Sequence, residues 1–220
     1  MSTANVVALT GGIGSGKSTL GRLLQARGAT FSQADSHARA VLDHDPGARM
    51  ALRSRFGSAV FLPDDKIDRA GLAKIVFSDP DALAALESIV HPRVWETLVP
   101  EVLSAMEVAP LVVVELPLLA ERGLPEPQPF PIDGVIVVEA PPEVTRLRLR
   151  ARGMSDPDIS ARFSKQASSA QRRAIAGYIV DNAGELGSLE AQAEQVWQWA
   201  TSKQRRTNPP WPSPFPKSGQ

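Results

Sequence analysis

A glycine-rich segment near the start of the chain carries residue types that can bind phosphate. The spacing G-x-x-x-x-G-K-[ST] is matched by Gly11, Gly16, Lys17 and Ser18. Glycines let successive backbone N–H groups face an anion without a Cβ in the way. A lysine can then reach the β- and γ-phosphates, and a serine hydroxyl can ligate Mg²⁺. The segment therefore predicts a binding site for a nucleoside triphosphate and Mg²⁺.

The segment lies between a predicted strand and a predicted helix. The apolar run 6–9 is typical of a central parallel strand, and residues 17–26 have a helical apolar face. The helix would direct the positive end of its dipole at the bound anion. The expected nucleotide-binding residues are Gly12, Ile13, Gly14, Ser15, Gly16, Lys17, Ser18 and Thr19. The alternative interpretation is a glycine-rich turn that binds nothing.

Two carboxylates are expected at the carboxyl ends of strands. Asp35 follows a short predicted strand over 29–32, and Glu115 ends the apolar run 111–115. Ligands of open parallel sheets bind at that edge, so Asp35 is a candidate for facing the γ-phosphate. Glu115 is a candidate for holding Mg²⁺ through water. In the alternative, Asp35 only caps a helix over 36–42 and Glu115 is an ordinary surface carboxylate.

The stretch 45–106 is predicted to be mostly helical. The predicted helices cover 48–56, 69–77, 81–90 and 93–106. His91-Pro92 is expected to separate the last two, and Pro100 to kink or break the last. A long helical insertion between two strands is a natural place for a substrate-binding lobe. His91 is a candidate residue there, or else a turn histidine satisfied by the backbone.

Four arginines alternate in the predicted helix that follows Pro141-Pro142. They are Arg146, Arg148, Arg150 and Arg152. At 3.6 residues per turn they cannot all share one face. Some could close over the phosphates as a mobile lid and neutralise charge during transfer, or the helix could simply have a solvated basic face. Arg148 and Arg152 are the residues that we favour for phosphate contact.

The composition excludes several classes of protein. Lys and Arg together number 24, as do Asp and Glu, so no net charge favours nucleic acid or an acidic membrane. The absence of cysteine excludes disulfides and thiol chemistry. Neither a signal peptide nor an apolar run long enough to span a membrane is evident. We therefore expect a cytoplasmic protein, with a monomer favoured and a small oligomer left open.

Strands separated by helices predict an α/β fold with a parallel sheet and helices on both faces, of the P-loop NTPase type. A helical substrate-binding insertion and a lid would be added to it. The predicted domains are a nucleotide-binding core (1–44, 107–140 and 177–203), a helical lobe (45–106), a lid region (141–176) and a Pro-rich tail (204–220). The tail is predicted to be disordered. Its P-x-x-P spelling at 209–212 leaves a peptide-ligand role as the less favoured alternative.

Several motifs together resemble the dephospho-CoA kinase family. Each falls in the family's order and spacing, and together they cover about residues 5–200. The motifs are Leu9–Thr19, Ala34-Asp35 with Ala38-Arg39, His91-Pro92, Pro117-Leu118-Leu119 with Glu121, Gln166-Ala167, and Asp181-Asn182 with Gly184. No later motif is specific alone, whereas the ordered combination is.

The resemblance implies that ATP phosphorylates the ribose 3′-hydroxyl of dephospho-CoA. It implies that Asp35 accepts the hydroxyl proton, that Lys17 and the loop amides hold ATP, and that lid arginines clamp the phosphates. Ser18 would hold Mg²⁺. The implied substrate residues, besides Asp35, are His91, Arg93, Pro117 and Leu118.

The sequence departs from the family pattern at three places. Gln33 stands where many members have Asp or Asn, and Ala120 replaces the usual Phe of Pro-Leu-Leu-Phe-Glu. The lid sequence 152–155, Arg-Gly-Met-Ser, is shorter than the common Arg-Asp-Gly-Leu-Ser. Gln33 lies two residues before Asp35, and its own role is left open. Ala120 affects the packing near the substrate. The shorter lid sequence leaves open which lid arginine contacts the phosphate.

Two other classes of protein share the phosphate-binding segment. One is a small-molecule kinase for nucleosides, nucleotides or shikimate, which would lack His91-Pro92 and Asp181-Asn182 in this order. The other is a nucleotide-dependent switch. A GTPase switch should contain an Asn/Thr-Lys-x-Asp motif, and none of Asn5, Asn182 and Asn208 is followed by lysine.

Overall fold

The structure is a computed structural model of the 220-residue chain and describes residues 4–124 and 128–202. The strands are β1 (Asn5–Gly11), β2 (Thr30–Gln33), β3 (Leu111–Glu115), β4 (Gly134–Glu139) and β5 (Tyr178–Asp181). The helices are α1 (Lys17–Gln25), α2 (Ala34–His44), α3 (Pro46–Phe56), α4 (Arg69–Ser78), α5 (Pro80–Val108), α6 (Leu119–Arg122), α7 (Pro142–Ala151), α8 (Asp156–Phe163), α9 (Ser169–Ile175) and α10 (Leu186–Ser202). The predicted tail lies outside the described residues.

The five strands form one parallel sheet in the order β2-β3-β1-β4-β5. The central strand β1 pairs with β3 on one side and β4 on the other. The strand order reverses at β1, and ligands of open parallel sheets bind outside the carboxyl ends of the strands at such a point. The residues that follow Gly11 therefore leave the sheet where a ligand is expected.

Both faces of the sheet are buried. On one face Val7, Val113 and Ile136 pack against α1 and α10 in the main hydrophobic cluster. On the opposite face Ala8 and Val114 are fully buried as well. Burial on both sides explains why these strands read as continuous apolar runs rather than alternating ones. The predicted α/β fold with helices on both faces is confirmed.

A glycine allows α1 to approach the edge strand β2. A Cβ on Gly21 would lie 2.2 Å from Cζ of Phe31, so any larger residue would push the helix away from the sheet. At the amino end of β1, the Val6 N–H donates to the buried carboxylate of Asp133 at 2.7 Å. This contact holds the start of the strand that leads into the phosphate-binding segment.

The chain divides into two compact units. One combines Met1–Gln33 with Glu101–Gln220 and contains the sheet, and the other is Ala34–Pro100. The second unit is helical, apart from a short 3-10 helix (Ser58–Val60) and an isolated antiparallel bridge between Phe61 and Ile67. Its bounds differ from the predicted lobe at 45–106, because α2 belongs to it and the end of α5 does not.

The helical unit has its own apolar cores and helix caps. Leu52, Val60 and Leu72 belong to one cluster of buried side chains. The Asp45 carboxylate accepts the Ala48 N–H at 2.6 Å and caps α3. Capping of this kind typically contributes about 1 kcal/mol to stability. Short helices in this unit are thus stabilised by caps as well as by packing.

The predicted interruption at His91-Pro92 is wrong, and of the kink or break predicted at Pro100 the break does not occur. The helix α5 runs without a break from Pro80 to Val108, with both prolines inside it. Each internal proline removes a backbone hydrogen bond and costs about 3 kcal/mol. Apolar side chains of this helix are buried on both sides of each proline, and tertiary burial can outweigh that local cost. They are Val90, Val94, Leu98 and Val102.

The capping role considered for Asp35 is also wrong. The helix α2 begins at Ala34, so Asp35 lies inside the first turn instead of at the N-cap. A carboxylate there still interacts favourably with the helix dipole. At this position Asp35 stabilises α2 only weakly, and another acidic residue would do so equally well.

Within residues 4–124 and 128–202, no helix combines the length and the hydropathy that crossing a bilayer requires.

Candidate active site

Glycine is required at two positions of the loop that joins β1 to α1. Gly11 has φ +146°, and a Cβ there would lie 2.2 Å from the Val138 carbonyl oxygen. Gly16 has φ +102°, and a Cβ there would lie 2.1 Å from Nδ2 of Asn182. Side chains at either place would clash and force a strained backbone. The loop therefore keeps a conformation in which its backbone approaches neighbouring elements closely.

The amino end of α1 lies at the end of this loop. Gly16 is the N-cap and provides no side-chain hydrogen bond to the first turn. The first N–H groups of a helix have no partner within it, and the helix dipole makes that end favourable for an anion. A phosphate bound here would satisfy those groups.

Lys17, the first residue of α1, lies against the loop. Its ammonium donates to the carbonyl oxygens of Gly11 at 3.0 Å and Gly12 at 3.1 Å. The positive charge is thus placed beside the backbone amides that would surround a phosphate. This is the position at which a phosphate-loop lysine can neutralise charge on the β- and γ-phosphates.

Ser18 and Glu115, which are 97 residues apart in the chain, are hydrogen-bonded. The Ser18 hydroxyl donates to Oε2 of Glu115 at 3.1 Å, and Nε2 of Gln33 donates to the same oxygen at 2.8 Å. Glu115 is 5% exposed. The three side chains come from α1, β3 and β2, and they meet because those strands end at the same edge of the sheet.

This oxygen-rich set fits Mg²⁺. Mg²⁺ prefers oxygen ligands, keeps several waters, and binds through one or two protein groups together with substrate phosphates. A hydroxyl at Ser18 and a carboxylate at Glu115 match that preference. No group of three or more His, Cys, Asp or Glu side chains suited to a metal ion occurs among the described residues. Ser18 and Glu115 would supply two of the oxygen groups around Mg²⁺, and nucleotide phosphates and water would supply the others.

Pro117 and Leu118 follow β3 next to the loop. The Leu116 N–H donates to the Leu9 carbonyl at 2.9 Å, which extends the pairing of β3 with β1. The Thr10 hydroxyl lies 3.5 Å from the Pro117 carbonyl oxygen. Leu118 is 44% exposed. Pro117 is thus held beside the end of β1, and Leu118 is available to a ligand.

The four alternating arginines of the predicted lid differ in their surroundings. Arg146 lies over the Phe163 ring at 5.1 Å. Arg150 forms a two-fold hydrogen bond with Asp156, at 2.7 and 2.9 Å, which lowers the pKa of the carboxyl and raises that of the guanidinium. Both of these arginines are therefore engaged within the lid region itself. Their partners explain why they are poorer candidates for phosphate contact.

Arg148 is linked to the phosphate loop through Asn182. Its guanidinium reaches Oδ1 of Asn182 and the Gly184 carbonyl, both at 3.4 Å. Asn182 in turn donates to the Ser15 carbonyl at 2.7 Å. Arg148 is therefore one side chain removed from the loop. Arg152 is exposed at the carboxyl end of α7, without a comparable link.

The segment between α8 and α9 also contacts the loop. Oε1 of Gln166 accepts the Ile13 N–H at 3.1 Å. A Cβ on Gly12 would lie 3.8 Å from Cζ of Arg172, so that guanidinium is also close. The sequence identified Gln166 only as part of a family motif and gave Arg172 no role. No periodicity or spacing marks either residue, because both reach the loop through the fold.

The remaining predicted residues, Asp35, His91 and Arg93, belong to the helical unit. Asp35 is exposed and makes no hydrogen bond or ion pair with the described residues of that unit. His91 is exposed on α5. Arg93 is engaged by Asp45 at 3.2 Å and by the Ile89 carbonyl at 2.7 Å. Positions two apart on a helix point to different sides, so His91 and Arg93 do not share a face.

Together these features define a nucleotide-binding fold of the P-loop type: a phosphate-binding loop follows the central strand β1, and an acidic residue ends β3, its neighbour in the sheet. Comparison with known proteins makes the assignment specific. The family model for dephospho-CoA kinase matches residues 5–188, and the chain belongs to that family. Membership of a kinase family implies that the nucleotide bound at the loop is ATP.

Individual relatives agree with the family assignment. The dephospho-CoA kinase of Thermobifida fusca is 42% identical over 193 residues, which are 87% of this chain and 94% of the relative. That of Deinococcus radiodurans is 42% identical over 192 residues, or 86% and 88% of the two chains. The similarity thus extends along nearly the whole length of each protein.

Solved structures share the fold. TT1252 from Thermus thermophilus superposes with a TM-score of 0.73 at 37% identity and covers 88% of this chain and 96% of its own. The dephospho-CoA kinase from Campylobacter jejuni gives a TM-score of 0.62 at 23% identity, covering 90% and 98%. At 23% identity, the Campylobacter jejuni structure supports the fold alone.

Proposed function

We propose that this chain transfers the γ-phosphate of ATP to the ribose 3′-hydroxyl of dephospho-CoA, giving coenzyme A and ADP, the last step of coenzyme A biosynthesis. The observation that carries the proposal is the phosphate loop of a dephospho-CoA kinase family member, with Lys17 against its carbonyls and Ser18 facing Glu115. Positioning and electrostatics dominate phosphoryl transfer, because little covalent chemistry is left to the protein.

Within this proposal Asp35 accepts the proton of the acceptor hydroxyl. Its carboxylate is exposed, follows the carboxyl end of β2 in the chain, and is engaged by no described residue of its unit. A general base must be free to bind the hydroxyl and must not be held by a structural ion pair. Asp35 meets that condition, whereas Asp43 on the same helix is paired with Arg69 at 2.7 Å.

Ser18 and Glu115 hold the metal in this assignment. The Ser18 hydroxyl would be a direct ligand, and Glu115 would accept hydrogen bonds from metal-bound water. A Mg²⁺ ion held by these residues would supply positive charge that stabilises the phosphates during transfer. Gln33, which donates to Glu115, keeps that carboxylate oriented.

The Glu115→Gln variant is expected to need about 10- to 100-fold more Mg²⁺ for half-maximal activity, as for other groups that orient metal-bound water. Removing the negative charge weakens the hold on that water but keeps the shape of the side chain. The measurement is the rate against free Mg²⁺ at saturating ATP. Glu107→Gln, at an exposed position of α5, is the matched control. An unchanged Mg²⁺ dependence of the Glu115 variant would remove this carboxylate from the metal site.

The other predicted residues would contact the substrates. Arg148 would bind the phosphates, since it already reaches Asn182 beside the loop, and Arg152 would join it only through movement of the lid region. His91 and Arg93 would contact the coenzyme from the helical unit, with Pro117 and Leu118 at the sheet edge. We further propose that the enzyme acts in the cytoplasm as a monomer.

The acceptor is tested by ADP release on adding dephospho-CoA, with adenosine, AMP and shikimate as controls. Turnover with dephospho-CoA at rates far above those with the three controls is the expected result. Turnover only with one of the controls would assign the chain to another small-molecule kinase. Tight nucleotide binding without turnover of any acceptor would favour a nucleotide-dependent switch.

A further inference from the structure

The Gln166 side chain occupies a position that suits a phosphate oxygen. Its carboxamide oxygen accepts the Ile13 N–H at 3.1 Å, and a Cβ on Gly12 would lie 3.5 Å from the same oxygen. Backbone amides of a phosphate loop are the groups that surround a bound phosphate. One of those amides is therefore already satisfied by a side chain from a distant part of the chain.

Lys17 is satisfied internally in the same way, through the carbonyl oxygens of Gly11 and Gly12. Amide and ammonium donors that are partly buried are stabilised by acceptors, and here the protein itself supplies them. A carboxamide is a neutral acceptor. Phosphate oxygens are charged acceptors that form shorter and stronger hydrogen bonds. A nucleotide phosphate therefore exchanges favourably for Gln166 at the Ile13 amide.

The segment that carries Gln166 is held by two opposite charges. The Ala167 N–H donates to Oε1 of Glu121 at 2.8 Å, and the Ala167 carbonyl accepts a hydrogen bond from Arg172. Oε2 of Glu121 and Nε of Arg172 are both buried and have no hydrogen-bond partner among the described residues. Each of these two partly buried charged groups therefore has one hydrogen-bonding atom that a different position of the segment could use.

We propose that Gln166 is a displaceable occupant of the phosphate loop: it holds the Ile13 amide in the absence of nucleotide, and a nucleotide phosphate displaces it. Displacement frees the 164–168 segment, which joins α8 to α9 in the region predicted to be a lid. Gln166 thereby lowers nucleotide affinity and couples occupancy of the loop to the position of that region. The inference rests on the proposed binding of ATP at this loop and assigns a residue that sets its affinity.

Two substitutions at Gln166 distinguish the removal of its side chain from the introduction of a negative charge. Gln166→Ala removes the occupant and is expected to bind ADP and ATP between about 2-fold and 10-fold more tightly, the range of one neutral hydrogen bond. Gln166→Glu places a charged acceptor at the same amide and repels phosphate, so its affinity should fall by at least about 10-fold. Gln198→Ala, at an exposed position of α10, is the matched control and should bind as the unchanged protein does.

Calorimetry on the full chain measures these affinities, and thermal unfolding confirms that each variant is folded. Hydrogen exchange provides a second measurement that is independent of activity. In the unchanged protein, amides of residues 164–172 should exchange differently with and without ADP, and Gln166→Ala should reduce that difference.

Three results would overturn the inference. Equal affinity of Gln166→Ala and the unchanged protein would mean that the hydrogen bond to Ile13 does not oppose binding. Weaker binding by Gln166→Ala would mean that the side chain contacts the nucleotide in the bound state. Failure of the unchanged protein to bind adenine nucleotides would reject the proposed function as well, whereas turnover of dephospho-CoA with either of the first two results would reject this inference alone.

Discussion

Replacing Asp35 with Asn should lower kcat by about 10²- to 10⁴-fold, the usual contribution of a general base. Asn keeps the shape of the side chain but cannot accept the hydroxyl proton. The Asp35 carboxylate caps no helix and has no ion-pair partner among the described residues of its unit, so the fold should tolerate the change. Steady-state ADP release with dephospho-CoA, together with calorimetric binding of ATP, separates the catalytic effect from binding.

The helix that carries Asp35 provides a matched control. Asp43→Asn removes an acidic residue from α2 and breaks an exposed ion pair with Arg69, which costs at most about 1 kcal/mol of stability. Its kcat should remain close to that of the unchanged protein. If Asp35→Asn retained full turnover, the proton would have to pass to another group, and the assignment of Asp35 would be withdrawn. A parallel loss in both variants would point to a general effect on the helical unit.

Local sequence patterns were sufficient to predict the parallel sheet and the phosphate loop. The strand β1 is a short apolar run because it is buried on both faces, and the loop glycines are required at close backbone approaches. These are features that a few adjacent residues determine. The relation of Ser18 to Glu115 needed one further step, the knowledge that strands of a parallel sheet end at a common edge.

Local patterns were misleading where tertiary packing decides the outcome. Pro92 and Pro100 predicted helix breaks, yet α5 continues through both because its apolar side chains are buried along the whole helix. Asp35 resembled the N-cap of a helix over 36–42, although α2 begins at Ala34 and includes Asp35. For α5, a local cost of a few kcal/mol competes with burial of a larger surface.

Contacts between distant segments could not be predicted from spacing. Gln166 and Arg172 approach the loop only because α7, α8 and α9 return to the carboxyl edge of the sheet. Asn182, placed after β5, reaches the Ser15 carbonyl in a similar way. The number of arginines in α7 identified a basic helix, but only their partners distinguished Arg148 from Arg150. The roles of these side chains depend on connections that a single sequence does not encode locally.

Lys17→Ala should reduce kcat/KM for ATP by about 10²- to 10³-fold, comparable to the loss of one preorganised donor that stabilises transition-state charge. The ammonium lies against the Gly11 and Gly12 carbonyls and needs only a small movement to reach phosphates bound by the loop amides. Lys17→Arg should restore little activity, because a planar guanidinium does not reproduce a compact point charge in a closely packed loop.

Lys17→Ala is expected to impair phosphoryl transfer more than it impairs nucleotide binding. Charge on the phosphates is redistributed in the transition state, so kcat should fall by more than the affinity for ADP does. Calorimetric ADP binding and single-turnover rates make that comparison, with Lys74→Ala on an exposed face of α4 as the control for loss of one positive charge. Equal losses of ADP affinity and kcat/KM would mean that Lys17 contributes only to binding, and unchanged kcat/KM would mean that the loop is not the site of transfer.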